Sequence, residues 1–135
     1  IQPGKTGIYH IQTDTSTKEG LTLFVFENSY FPEIKKTQDM LLTMRYITSK
    51  EEYDNIAISS NIKMSIENFW LNTVSNGKEK ARVVIRKYYA RVQNANENFT
   101  SYTEGWKTDR GMIYIVLGKP NSIYKDENSE TWIYN

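Results

Sequence analysis

Three carboxylates in this chain stand where acid–base chemistry could be assembled: Glu67, Glu104 and Asp109. Glycoside hydrolysis by a carboxylate pair needs two such groups facing each other across about 5 to 9 Å. Glu104 and Asp109 bracket Trp106, and Glu67 precedes Phe69 and Trp70. Spacing alone does not make them converge, and Glu67 reads equally as a solvated surface acid. Other chemistries have less to work with. The single histidine, His10, would have to serve any Ser-His-Asp triad, and no Gly-x-Ser-x-Gly turn accompanies it. The absence of cysteine excludes a thiol nucleophile, a disulfide and a thiolate metal site. A zinc site would rest mostly on carboxylates, which zinc uses less. No metal and no cofactor is expected.

Two stretches imitate a phosphate-binding loop. Gly4-Lys5-Thr6 has the right tail, but a strand comes after it and none precedes it. Gly118-Lys119 carries Pro120 where Ser or Thr would reach a magnesium ion. Both read as turns. Asp126 to Glu130 gathers oxygen ligands without the Asp-x-Asp-x-Asp-Gly spacing of a calcium loop, so it reads as an acidic hairpin tip. Arg82, Arg86, Lys87 and Arg91 form a basic helix face beside Tyr88 and Tyr89. With 17 basic and 16 acidic residues, the net charge of +1 favours a solvated face over a nucleic-acid surface.

The densest run is Gly105-Trp106-Lys107-Thr108-Asp109-Arg110-Gly111. Trp106, Asp109 and Arg110 could line a groove that takes a peptide or a sugar. Each residue also has a structural role open to it. Gly105 lets the backbone turn, Trp106 anchors the loop, Asp109 accepts backbone N–H bonds, and Gly111 supplies an unusual φ. The structural reading is the one adopted.

The elements around this run are set by periodicity. Alternation predicts a hairpin of strands Gly7 to Gln12 and Leu21 to Glu27, the second covered on both faces. Met40 to Ile47 is expected as a third strand. Ser49 with Glu52 has the capping-box form and starts a short helix. Asn61 to Thr73 is a second helix. Ala81, Val84, Ile85, Tyr88, Val92, Ala95 and Phe99 mark a third and longest helix, opened by Asn76-Gly77. Met112 to Leu117 is expected as a β-branched strand. With Ser122 to Tyr124 and Thr131 to Tyr134 it would form a three-stranded meander packed on the longest helix. The fold expected is α+β: an N-terminal antiparallel β segment, two to three helices, then the meander. Residues 1–48 would be a β-rich segment ending a preceding β domain, and residues 49–135 an α+β domain.

At 135 residues the chain can bury a core without staples. Ten Tyr, five Phe and three Trp suit half-buried sheet faces and interfaces alike. The longest apolar run, Met112 to Leu117, is too short to cross a bilayer.

The Gly105 to Gly111 run resembles the signature of the GWxTD-domain family of bacterial proteins. Glu67-Asn68-Phe69-Trp70, Tyr88 to Val92, Ala95-Asn96 and Phe99 resemble its helical part. Met112 to Pro120 and Trp132-Ile133-Tyr134 resemble the β meander that follows it in the family. The resemblance implies an origin in Bacteroidota or similar bacteria, and a secreted or lipid-anchored envelope protein of the periplasm or outer membrane. It implies no established activity and no catalytic residues. A weaker likeness, to the small lipoprotein of the outer-membrane β-barrel assembly machinery, rests on the expected meander alone. The function expected is a non-enzymatic cell-envelope interaction or scaffold module. The alternative is a carboxylate-dependent hydrolase with its site near the Gly105 to Gly111 loop. The partner expected is another envelope protein, with no nucleic acid, and with a membrane met only through an anchor outside this stretch.

Overall fold

The computed structural model describes residues 5–25, 30–74 and 77–135. The fold is α+β. Among the described residues, five α-helices and one 3-10 turn are flanked along the chain by two antiparallel two-stranded sheets. The order is β1 (Gly7–Ile11), β2 (Leu21–Val25), α1 (Thr37–Met44), α2 (Lys50–Ala57), α3 (Ile62–Thr73), α4 (Lys78–Phe99), the 3-10 turn Gly105–Lys107, α5 (Asp109–Leu117), β3 (Ser122–Lys125) and β4 (Glu130–Ile133). No helix among the described residues is long and apolar enough to cross a membrane.

The helices begin where their caps dictate. Glu52 N–H donates to the Ser49 hydroxyl at 3.2 Å, and Ser49 N–H donates to the Glu52 carboxylate at 2.8 Å, closing the capping box of α2. Asn61 caps α3 through Met64 N–H at 3.1 Å. Gly77 opens α4 with a φ of 94°, a region other residues rarely enter. Asn76 lies outside the described residues.

Two expected strands are helices. Met40 to Ile47 reads as β on its alternation, but α1 covers its first half and a turn completes it. Its apolar residues are so dense that a short run fits either period. The core selects the helical one, burying Leu41 and Met44 one turn apart. Met112 to Leu117 is the second correction. It forms the body of α5, because Thr108 caps its start and Gly118, at φ 88°, ends it. Capping and the burial of Ile115 outweigh the β preference of Ile113, Ile115 and Val116. Burying Ile115 is worth about 2 to 3 kcal/mol. With that strand gone, β3 and β4 make a hairpin, not a three-stranded meander. The likeness to the assembly lipoprotein loses its basis.

Leu41, Met44, Ile56, Ile66, Trp70, Tyr88, Val92, Ala95, Trp106 and Ile115 form one continuous core drawn from all five helices and the 3-10 turn. Trp70 packs on Tyr88 with ring centroids 5.3 Å apart, and the Tyr88 hydroxyl donates to Thr43 O at 2.6 Å. The β1–β2 hairpin stands apart from it. Leu21 is 60 % exposed and Phe24 43 %, so the cover expected on both faces of β2 is not supplied by the described residues. Phe26 and Glu27, expected to end β2, lie outside them.

Candidate functional site

The Gly105 to Gly111 run is a joint between α4 and α5, built from backbone contact outward. A Cβ on Gly105 would overlap the Ala95 carbonyl and stand 2.8 Å from the Asn96 Cα, so only glycine lets the turn meet α4 this closely. A Cβ on Gly111 would overlap the Gly105 carbonyl. Its role is therefore close packing inside the first turn of α5. The unusual φ expected there is not found, since the glycines with positive φ among the described residues are Gly77 and Gly118.

Hydrogen bonds complete the joint. Gly105 N–H donates to the Thr100 hydroxyl at 2.8 Å, and that hydroxyl donates to Asn96 O at 2.6 Å. Trp106, 6 % exposed, donates its N–H to Asn96 Oδ1 at 3.0 Å. Its carbonyl accepts from the Tyr46 hydroxyl at 2.8 Å. The Asn96 amide also reaches Pro32 O at 2.9 Å, tying the joint to the segment before α1. Thr108 does two jobs with one hydroxyl: it donates to Gly105 O at 2.7 Å and accepts from Gly111 N–H at 3.0 Å. At the other end of α5, Arg91 Nη1 donates to Ile115 O at 3.1 Å and Val116 O at 3.0 Å. That places a cation on the negative end of the helix dipole.

Two of these residues escape sequence reasoning. By type and position alone, Asn96 weakens the helix end and Arg91 belongs to a solvated basic face. Asn96 lies one turn after Val92 and precedes Phe99, so it falls on the apolar stripe. A polar residue in that phase is a signal for a buried hydrogen-bonding role. The rest of the basic face is divided: Arg82 pairs with Glu79 at 2.7 Å, while Arg86 and Lys87 are exposed.

Among the described residues, no cleft is lined by two of the candidate carboxylates. Glu67 is exposed on α3 and lines a cleft with Lys78, Arg82 and Ile85. Glu104 pairs with Lys107 at 2.8 Å. Burial pushes its carboxyl up, but the Lys107 and Thr103 hydrogen bonds outweigh that and hold it below the ordinary range. A general acid needs the opposite shift. Asp109 is not the cap of α5; Thr108 is. Its carboxylate is exposed in the first turn and, among the described residues, accepts from no backbone N–H, contrary to the role expected for it. His10 lies on exposed β1 against the Thr22 hydroxyl at 2.9 Å. Among the described residues no cluster of acids and histidine is arranged to hold a metal ion.

Asp109 and Arg110 instead form a ridge shared by two clefts. One, of about 430 Å³, runs along Phe99 to Lys107. The other is a groove of about 660 Å³ between α5 and the β3–β4 hairpin. Arg110 Nε meets the Glu130 carboxylate at 3.2 Å, and Lys125 meets its other oxygen at 2.8 Å. The Lys125 and Trp132 hydrogen bonds hold Glu130 ionised below the ordinary carboxyl range. At the tip, the Asp126 carboxylate accepts from Asn128 N–H, Ser129 N–H and the Ser129 hydroxyl at 2.6 to 2.8 Å.

The family model of the GWxTD domain matches residues 7–135, nearly the whole chain. The chain belongs to the GWxTD family. No curated protein and no solved structure matches it. The GWxTD motif itself divides in two here. Gly105, Trp106 and Thr108 are spent on the joint, while the Asp109 carboxylate faces solvent at the mouth of the groove.

Proposed function

We propose that this GWxTD domain is a non-enzymatic interaction module of the bacterial cell envelope, and that the α5–hairpin groove is its binding face. The observation that carries the reading is that, among the described residues, no cleft is lined by two of the three candidate carboxylates, with Asp109 exposed beside an open groove. A carboxylate pair with no common cleft has no way to hold a substrate between acid and base. The groove also offers what interfaces use: an apolar wall of Ile113 and Leu117, an aromatic anchor in Trp132, and charged groups around the rim. The envelope setting comes from the family resemblance, and the partner is taken to be another envelope protein.

The test is photo-crosslinking of the full-length protein in its native cells. A benzophenone amino acid at Leu117, in the groove, should give one discrete adduct with an envelope protein. The same probe at Ile58, 83 % exposed at the end of α2, should not. Turnover of peptide, ester or glycoside substrates that disappears in Asp109→Asn would replace this reading with the hydrolase. An absence of adducts from Leu117 would also overturn it.

A further inference from the structure

The hairpin leaves one strand edge open along the groove. Asp126 N–H donates to Ser129 O at 3.0 Å, which sets the alternation of the β3–β4 ladder. In that register Tyr124 and Thr131 exchange hydrogen bonds, while Glu130 and Trp132 direct their N–H and C=O away from β3. The sheet has two strands, so among the described residues no third strand takes them up. Apart from the tip, Lys125 and Tyr134, the groove is lined by β4 and α5, so the strand with the open edge borders the same groove as Ile113 and Leu117. A free strand edge facing an apolar helix is the arrangement that accepts an extended peptide, main chain on the edge and alternate side chains on the helix.

The charge of the groove selects among peptides. Four carboxylates, Asp109, Asp126, Glu127 and Glu130, stand against two cations, Arg110 and Lys125. Both cations are bound to Glu130, which leaves Asp109, Asp126 and Glu127 without an ion-pair partner among the described residues and the groove lining with a net charge of −2. This local excess of negative charge lies on a chain whose net charge is +1. From these observations we infer that the groove binds a basic, extended polypeptide segment, which adds to the β4 edge and pairs a lysine or arginine with Asp109. The inference rests on the groove being the interaction face and names the chemistry of its partner.

The test uses the whole chain, isotope-labelled, and three short acetylated peptides monitored by amide NMR. One alternates lysine with valine, one alternates glutamate with valine, and one is the lysine peptide N-methylated to block strand pairing. The lysine peptide should shift the Glu130 and Trp132 amides saturably, and both other peptides should leave them in place. Asp109→Asn, which removes no internal hydrogen bond, should weaken the lysine peptide about two- to fivefold, the span of an exposed ion pair. Added salt should weaken it further. Equal shifts from the glutamate or N-methylated peptide would overturn the inference, as would shifts confined to other surfaces or an affinity unchanged in Asp109→Asn. A crosslink from Leu117 without response to the lysine peptide would leave the interaction face standing and remove the basic strand.

Discussion

The α4–α5 joint and the two hairpins handle the same kind of side chain in opposite ways. In the joint, Trp106 is buried, its backbone N–H and C=O are both bonded, and two glycines bring backbone against backbone. In the hairpins, Ile8, Leu21, Phe24 and Tyr124 stand largely exposed, and strand pairing supplies most of the order. An isolated two-stranded ribbon is marginal in water. The joint therefore concentrates stability, while the hairpins leave apolar surface and, among the described residues, strand edges exposed. Polar residues divide the same way: Asn96 and Thr108 satisfy backbone in the joint, and Asp109 and Arg110 face the groove.

The sharpest way to break this comparison is to put a methyl group into the joint. Gly105→Ala should destabilise the fold by more than about 3 kcal/mol, because the atoms it meets are backbone and cannot swing aside. Chemical denaturation would show it, and a midpoint unchanged from the parent would refute the close-packing account.

Alkali should find the core next. Burial raises Tyr89 to about 12, and burial with the neighbouring Tyr89 phenol raises Tyr88 as well. Unfolded tyrosine ionises near pH 10. Above that pH the folded state holds more protons than the unfolded one, so stability falls as pH rises; below it the contribution is fully present. Tyr89 alone should cost about 3 kcal/mol between about pH 10 and 12. Urea unfolding across that range should show a slope that Tyr89→Phe reduces.

Asn96→Ala should cost about 2 kcal/mol, since it strands the Trp106 N–H in the core. Calorimetry would register this as a lower Tm with the helical spectrum retained. Neighbouring motif residues should then separate. Thr108→Ala loses the α5 cap at about 1 kcal/mol. Asp109→Asn loses only a first-turn charge, at about 0.5 kcal/mol or less. Equal costs for these two would return Asp109 to a structural role. The smallest effect belongs to the β1–β2 hairpin. A chain starting at Tyr30 should melt within about 0.5 kcal/mol of the parent, because the hairpin's strands pair chiefly with each other.

How much of this is legible in the sequence depends on where the signal lies. The α2 capping box, the α3 stripe and the long apolar phase of α4 are local and can be read residue by residue. So can Trp106 as an anchor and the polar turns at both hairpins. Met40 to Ile47 and Met112 to Leu117 mislead because short, dense apolar runs fit both periods. Thr108 stands in plain view as a cap, but the β-branched residues after it point the other way. Within the site, Gly105 and Gly111 look like turn formers. Their requirement comes from Ala95 and from each other, and nothing local announces a neighbour so close.

The sequence by itself determined the family, the α+β class, the three central helices and the lack of cysteine chemistry. Each of these is written in residue type, spacing or capping pattern. Only the tertiary structure decided that α1 and α5 are helices, that Thr108 and not Asp109 caps the joint, and that Arg91 ends α5. These depend on which surfaces are buried against which, and a buried contact between residues far apart in the chain overrides a local preference worth about 1 kcal/mol or less.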